Sequence, residues 1–303
     1  MTQLGELRDA YRRFADVGIK LYAVSYDDVE ALAAFAEAAD IPFPLLSDAD
    51  SALIREFGIL NTTVQPDDVP FYGIPNPGTY LVDEDGVVID KFFPRHIANR
   101  ESADTIIDSA LGEILMAEAE PGTSGGDDDI AVTVRLRGGD GTLKSGIRRR
   151  VVVRFELPDG LHIYGEPVPE GMVATSVSVA GPDGLIVEEP VYPPTEPLVL
   201  DDLGPELQVW SGCVDVAVPV WANSHLVDLF DTLEGKTVTL EVTVRYQACN
   251  DRACLIPRTE KLSLVVPLAP LDVPDVPGLN LDGQRVTSMD SVEYLTRLLQ
   301  RFG

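Results

Sequence analysis

The sequence predicts an α/β domain followed by an all-β sandwich. Up to about residue 116, helical and strand patterns alternate, which favours a layered α/β fold. After residue 130, the apolar residues fall in short alternating runs separated by Gly, Pro and Asp turns, which is typical of an all-β sandwich. The chain has 303 residues and a hydrophobic fraction of 45%. It is therefore long enough for two globular domains, and wholesale disorder is excluded.

The first domain is predicted over residues 1–116, from helical spacings, strand-like runs and turn residues. Gly18 is expected to end the first helix, and Asp27 or Asp28 to cap the second. The predicted elements are a helix at 4–17, a buried strand at 19–24, a helix after 28, a strand near 43–48, a helix at 51–57, a hairpin joining 79–82 to 87–93, and a helix at 100–116.

The rest of the chain divides into a linker, the second domain and a C-terminal segment. Residues 117–129 are small, acidic or turn-forming and have no apolar periodicity, which predicts an acidic linker. The β-sandwich is expected over 130–267, with one helix near 224–233. Residues 268–303 read as a Pro-rich segment and a final amphipathic helix. The sandwich strands are predicted at 130–136, 149–155, 172–179, 213–220 and 237–246.

The charge of the chain excludes several classes of partner. Lys and Arg total 23 against 50 Asp and Glu, a formal net charge of −27. Such a surface repels phosphates and anionic lipids, so we expect neither nucleic acid nor a membrane surface as partner. No apolar run approaches the ~20 residues of a membrane helix, and the written N-terminus has no signal peptide. If the sequence starts where it is written, we expect the protein in the cytoplasm. If the true start lies upstream, an extracytoplasmic location is also open.

The strongest local pattern is a pair of cysteines within YQACNDRACLIPRT, residues 246–259. If the flanking runs form a hairpin, Cys249 and Cys254 face each other at a distance that suits a disulfide. A bridge across a short polar loop is better suited to exchange than to stabilisation, and Arg252 would favour a thiolate. A structural bridge and two free thiols remain the alternatives.

No metal or cofactor is predicted. Two cysteines would need two further ligands, and His96, His162 and His225 are not at ligand spacing. The third cysteine, Cys213, lies in an apolar strand pattern and is expected to be buried as a small hydrophobe.

The cysteine motif resembles the N-terminal domain of the thiol:disulfide interchange protein DsbD. The family shows a Y-Q-x-C strand, a second cysteine and then Pro, and LPDGLHIYGE upstream also fits. The resemblance covers about 130–267 and implies an immunoglobulin-like β-sandwich that passes reducing equivalents to partner proteins. By position, Cys249 and Cys254 are the redox pair, with His162 and Tyr164 beside it. His162 replaces an aromatic residue, and is either a proton donor or an ordinary surface histidine.

The first domain resembles the AhpC/TSA peroxiredoxin-like branch of the thioredoxin fold. GIKLYAVSYD, IPFPLLSDADSALIREFGILN and IPNPGTYLVDEDGVV carry the resemblance, which covers about 4–114. The family places a cis-proline before the strand that faces the active site. Pro77 occupies that position and is expected to be cis, an ordinary turn proline being the alternative.

This domain departs from its family at the reactive cysteine. The printed sequence has no cysteine before Cys213, so peroxide reduction is excluded for this chain unless Cys213 is reactive. The expected central strand, between 19–24 and 79–82, is also missing. Two explanations are open. Either the reading frame is truncated or its start misassigned, or the domain is a degenerate remnant used for docking.

The combined expectation is an incomplete thioredoxin-like domain joined to a DsbD-like sandwich. The predicted activity is thiol–disulfide exchange with partner proteins through Cys249 and Cys254. The alternative is a non-catalytic binding or scaffold protein, in which the same pair is a structural disulfide.

Overall fold

The structure is a computed structural model that describes residues 2–67, 72–94, 99–127, 129–199, 206–223, 225–227, 235–250 and 252–270. The predicted C-terminal helix and most of the predicted helix at 224–233 lie outside these ranges. The chain forms two compact units, with Met1–Pro77 in the first and Gly78–Leu271 in the second. Within the described residues, no helix has the length and apolar character needed to cross a membrane.

Helices are concentrated in the first part of the described chain and strands in the second. The helices are α1 (Thr2–Asp9), α2 (Tyr11–Asp16), α3 (Val29–Ala38), α4 (Ala52–Glu56) and α5 (Ala103–Leu111). The strands are β1 (Ala23–Ser25), β2 (Leu45–Ser47), β3 (Thr79–Val82), β4 (Val88–Phe92), β5 (Arg100–Glu101), β6 (Gly122–Gly126), β7 (Ala131–Arg137), β8 (Ile147–Glu156), β9 (His162–Tyr164), β10 (Ser176–Ala180), β11 (Leu185–Val187), β12 (Glu196–Leu198), β13 (Leu207–Ser211), β14 (Cys213–Ala222), β15 (Thr237–Tyr246), β16 (Ala248–Cys249) and β17 (Arg258–Pro267).

The helices of the first unit follow the local signals in the sequence. The predicted helix at 4–17 is divided into α1 and α2 at Ala10, whose carbonyl still accepts from Phe14 N at 3.2 Å. Gly18 ends α2 with φ +78°, a conformation that favours glycine. Asp28 caps α3 by accepting from the N–H of Ala31 at 2.7 Å, as predicted.

The strands of the first unit are shorter and more exposed than predicted. The buried strand expected at 19–24 is wrong. Instead, β1 covers three residues, and Tyr22 and Val24 are 60% and 42% exposed. The physical reason lies in the pairing, since β1 has β2 as its single hydrogen-bonded neighbour among the described strands. A two-stranded sheet can cover only part of an apolar strand.

The second unit contains a β-sandwich with one main core. One sheet has the order β11-β14-β8-β7-β6, with β5 added beside β8, and a facing sheet has the order β10-β15-β17. Strand alternation sends every second side chain of β7, β8, β14 and β15 into the core between them. A four-stranded sheet, β12-β13-β9-β16, carries part of the cysteine motif. This agrees with the predicted all-β sandwich.

The outer face of β8 is basic and is covered by α5. Arg137, at the end of β7, binds Asp108 through two nitrogens at 2.8 and 3.1 Å and Asp104 at 3.2 Å. Arg150 on β8 also pairs with Asp108. The side chains of Arg137 and Asp108 are only 7% and 2% exposed. Burial opposes the charge on Arg137, but the carboxylates outweigh it and raise its pKa.

These ion pairs change the predicted orientation of the helix at 100–116. The apolar spacing of this helix in the sequence predicts that Leu111 faces the core, but it is 40% exposed, whereas Asp104 and Asp108 are buried. The arginines on the sheet face explain the difference, because buried carboxylates are favoured where buried guanidinium groups pair with them. The expected linker at 117–129 also differs from the structure. Its residues Gly122–Gly126 form β6, which pairs with β7.

The hairpin of β3 and β4 forms where it was predicted, at the start of the second unit. Asp83 closes its turn by accepting from the N–H groups of Asp85 and Val87. Its apolar side chains are largely open to solvent, with Val82 at 51% and Ile89 at 56% exposure. Like β1, β3 pairs with a single strand among the described residues, here β4.

We expect Asp108→Ala to lower the free energy of unfolding of the second unit by about 3–5 kcal/mol, because two buried guanidinium groups lose their common carboxylate. Both tryptophans, Trp210 and Trp221, lie in this unit. Urea unfolding followed by tryptophan fluorescence therefore measures the loss. The matched control is Glu113→Ala, which removes an exposed carboxylate just after α5 and should change stability by less than about 0.5 kcal/mol. Equal losses in both variants would contradict this account.

Candidate functional site

The cysteine motif occupies the end of a long β-ribbon. β15 and β17 pair over ten residues, from Thr237 opposite Pro267 to Tyr246 opposite Arg258. Beyond Tyr246 the chain leaves this ladder and enters β16, which pairs with β9 so that Cys249 lies opposite His162. The motif is thus held by two sheets, which fixes its backbone at the end of the sandwich.

The two cysteines form a disulfide across this end. Cys249 and Cys254 face each other in an isolated antiparallel bridge with a Cα–Cα distance of 4.0 Å. Asn250 shapes the loop by accepting from the N–H groups of Arg252 and Ala253, both at 2.9 Å. Cys249 is 1% exposed, whereas Cys254 is exposed. One half of the disulfide is therefore accessible to another molecule and the other half is covered.

Tyr164 links the exposed sulfur to a buried histidine. Its hydroxyl lies 3.8 Å from Cys254 Sγ and 3.2 Å from His162 Nε2. A disulfide sulfur has no proton, so the tyrosine is the donor in the contact with Cys254, while the direction of its hydrogen bond with His162 follows the tautomer of the histidine. Burial raises the pKa of Tyr164 and keeps its hydroxyl protonated as a donor. His162 is 5% exposed, so its surface position, one of the two predicted alternatives, is wrong.

The side chain of Gln247 also holds the cysteine loop. Its Oε1 accepts from Val173 N at 3.0 Å, and its Nε2 donates to the carbonyl of Leu255 at 3.1 Å. The second contact holds the backbone of the residue that follows Cys254, and the first ties Gln247 to the segment before β10. The sequence reasoning did not assign a role to Gln247, although the Y-Q-x-C pattern contains it.

Comparison with known protein families finds a match for two parts of the chain. The model of the AhpC/TSA family matches residues 1–91, and that of the N-terminal domain of thiol:disulfide interchange protein DsbD matches residues 142–266. The chain joins an AhpC/TSA segment to a DsbD-type domain. The predicted order of an α/β segment followed by an all-β sandwich is confirmed.

Individual relatives share parts of the chain. A chloroplastic peroxiredoxin Q from Sedum lineare is 36% identical over 81 residues, 27% of this chain, and the chain spans about 40% of that relative's length. The N-terminal periplasmic domain of ScsB from Proteus mirabilis is 15% identical with a TM-score of 0.32, over 52% of this chain and 55% of that one. The reduced DsbD N-terminal domain of Neisseria meningitidis is 20% identical with a TM-score of 0.24, over 39% and 81%.

These family assignments carry a general functional conclusion. Both families belong to thiol–disulfide redox chemistry, and the cysteine pair of this chain lies within the DsbD-type domain. The chain is therefore related to thiol–disulfide oxidoreductases. Among the described residues, no group of three or more His, Cys, Asp or Glu side chains is placed to hold a metal ion.

The third cysteine of the chain is not buried as predicted. Cys213 begins β14 and is exposed, because Val214 takes the core face and strand alternation turns Cys213 outward. Partial desolvation and the carboxylates of Asp215 and Glu156 raise the pKa of the Cys213 thiol, although Arg154 acts in the other direction. A raised thiol pKa lowers the thiolate fraction, which disfavours peroxide attack by this residue.

Two further residues singled out from the sequence lie apart from the sulfur contacts. Among the described residues, the cis peptide bond is at Glu166–Pro167 and the bond before Pro77 is trans. The prediction that Pro77 is cis is therefore wrong. Its neighbour Asn76 instead continues an extended pairing, in which its N–H donates to the carbonyl of Ile59 at 2.7 Å. Arg252 donates its backbone N–H to the Asn250 turn, and its side chain is exposed. Its electrostatic role stays a prediction.

We expect Tyr164→Phe to slow alkylation of Cys254 by iodoacetamide at neutral pH by about twofold to tenfold, because the thiolate loses a hydrogen-bond donor. The measurement uses a reduced protein in which Cys213→Ser and Cys249→Ser leave Cys254 as the single thiol. Tyr246→Phe is the matched control, since it removes a buried hydroxyl that donates to Glu260 at 3.2 Å rather than to sulfur. Equal slowing in both variants would show that the hydroxyl acts only through stability.

Proposed function

We propose that the protein exchanges disulfides with partner proteins through Cys249 and Cys254. The observation that carries this proposal is the asymmetry of the disulfide, with one exposed and one buried cysteine at the end of a rigid ribbon. A purely structural bridge gains nothing from an exposed half. An exchange pair needs it, because the attacking thiolate must reach one sulfur in line with the bond that breaks.

The exposed position of Cys254 defines the order of the exchange steps. In the reduced protein, the Cys254 thiolate attacks one sulfur of a partner disulfide, and the partner's other sulfur leaves as a thiolate. The Cys249 thiolate then attacks Cys254 Sγ, closes the internal disulfide and releases the partner's remaining sulfur as a thiolate. Two electrons pass to the partner, and the reverse sequence oxidises it.

Cys249 is positioned to complete this cycle rather than to start it. Its burial keeps outside sulfurs away, while the backbone bridge keeps it next to Cys254. An attack from such a fixed neighbour is intramolecular and is therefore favoured over attack by a free thiol. Tyr164 supports the first step, because its hydroxyl can donate to the Cys254 thiolate as it does to the sulfur of the disulfide.

The partner sulfur comes from outside the printed sequence. Residues 1–212 include the AhpC/TSA segment and contain no cysteine. The one cysteine of the sequence outside the pair is therefore Cys213. It is exposed on β14 and is a free thiol in the structure. We therefore assign the exchange to partner proteins that carry a thiol pair or a disulfide.

We expect Cys249→Ser to accumulate a mixed disulfide with an oxidised dithiol protein, because the exposed Cys254 attacks and this chain no longer has a neighbouring cysteine that displaces the partner, which leaves the reverse attack by the partner's own thiolate as the route of release. Cys254→Ser should accumulate at least about tenfold less, since Cys249 is covered. Non-reducing electrophoresis with oxidised thioredoxin as the probe measures both. Cys213→Ser is the control and should behave as the parent protein. Equal trapping by the two single variants would reject the proposed order of attack.

We also expect the Cys249–Cys254 pair to equilibrate with mixtures of reduced and oxidised glutathione, so that its midpoint reduction potential lies above about −300 mV. Thiol trapping across glutathione ratios measures the midpoint. A structural disulfide in a binding or scaffold protein should stay oxidised through that range. Such resistance would assign the pair to that second function.

A further inference from the structure

A groove opens beside the cysteine loop, where Ala248, Leu255 and Ile256 form part of its lining. Its apolar lining comes from Ile130, Tyr246, Leu255 and Ile256, and it encloses about 390 Å³. This is near the small end of the range for ligand pockets, roughly 300–1,000 Å³. The groove is open, and Leu255 directly follows the exposed Cys254. Its size and position suit one or two side chains of a chain segment whose own sulfur lies at Cys254.

Ile256 gives this groove an unusual surface. It is 86% exposed, the highest value among the large apolar side chains that are exposed in the described residues, and Leu255 is 39% exposed. Neither position is needed for the core, since the loop is fixed by Gln247 through the carbonyl of Leu255. Large apolar side chains open to water next to a reactive group are typical of a contact surface.

The rim of the groove is acidic. Asp127 pairs with Arg258 and also accepts from the N–H groups of Asp129 and Ile130, both at 2.8 Å. Arg258 is shared with Glu260, whose Oε1 lies 3.5 Å from Arg258 Nε. Two carboxylates, those of Asp127 and Glu260, thus pair with the one guanidinium group, and Asp129 adds a third carboxylate to the lining of the groove. The surplus of negative charge favours a cationic group on whatever occupies the groove.

From these features we infer that the groove binds the segment of a partner protein that flanks its reactive cysteine, and that it selects an apolar residue next to that cysteine and a basic residue near it. The apolar side chain would cover Ile256 and Leu255, and the basic group would face Asp127 and Asp129. This inference rests on the proposed exchange at Cys254, and it adds the specificity for the partner. The covalent step is unchanged.

The test measures discrimination between peptides by Cys254 as the single thiol of the full chain, in the Cys213→Ser, Cys249→Ser background. The probes are two short peptides that each carry a cysteine bonded to thionitrobenzoate and a leucine beside it, and that differ only in a nearby Lys or Glu. The Cys254 thiolate attacks the peptide sulfur, a protein–peptide disulfide forms, and the coloured thionitrobenzoate anion leaves. At low salt we expect the Lys peptide to react about twofold to fivefold faster than the Glu peptide.

Substitutions in the groove should remove this discrimination selectively. Asp127→Asn together with Asp129→Asn keeps one side-chain oxygen at each position, removes both negative charges and should bring the Lys to Glu ratio close to one. Ile256→Ser should slow both peptides by at least about threefold, because the leucine loses its apolar contact. Val265→Ser is the matched control. It removes an exposed apolar side chain on β17, roughly 23 Å along the strand from Arg258, and should leave both rates unchanged.

A small neutral disulfide separates failure of the groove from failure of the exchange. Dipyridyl disulfide is uncharged and lacks a peptide segment, so it should react equally with all of these variants. Normal reaction with this reagent, but an unchanged Lys to Glu ratio in the Asp127→Asn, Asp129→Asn protein, would overturn the groove and leave the exchange intact. No reaction of Cys254 with any of the three reagents would overturn both.

Discussion

The antiparallel ladder between β15 and β17 is the constraint on which the redox site depends. Its ten paired residues end at Tyr246 and Arg258, so the cysteine loop begins at a fixed point and in a fixed direction. Pairing of β16 with β9 then places Cys249 beside buried side chains and leaves Cys254 outside. The difference in exposure between two residues five positions apart is therefore a product of strand register. It does not arise from any unusual property of the loop itself.

Local sequence signals were sufficient for the order of elements and for the cysteine pair. Asp28 and Gly18 marked helix ends because capping and left-handed turns need particular residue types. The two cysteines were recognisable because a hairpin brings such residues face to face. Where the outcome depended on neighbours far away in the chain, the same signals failed. Cys213 and His162 lie in similar apolar strands, yet the first is exposed and the second is buried.

The position of α5 shows why long-range charge pairing is hard to predict. Hydrophobic spacing correctly indicated a helix. Asp104 and Asp108 nevertheless face inward, because they pair with arginines on the sheet surface that lie 29 to 42 positions later in the sequence. A run of arginines in a strand of a chain with net charge −27 was the available signal. The ion pairs between these aspartates and arginines hold α5, which follows the AhpC/TSA segment in the sequence, against the sandwich that carries the disulfide. Within the predicted linker, residues Gly122–Gly126 form a strand of the same sheet.

The open hairpin of β3 and β4 has a consequence for the behaviour of the protein in concentrated solution. Its exposed valines and Ile89 sit on a two-stranded sheet, a surface on which strands from separate molecules can add. The chain's large negative charge opposes such an approach. Added salt shortens the range of this repulsion to about 10 Å, and to a few ångströms at high ionic strength. Colloidal stability thus depends on the balance between attraction at the exposed apolar hairpin and electrostatic repulsion between the negatively charged molecules, and ionic strength shifts that balance.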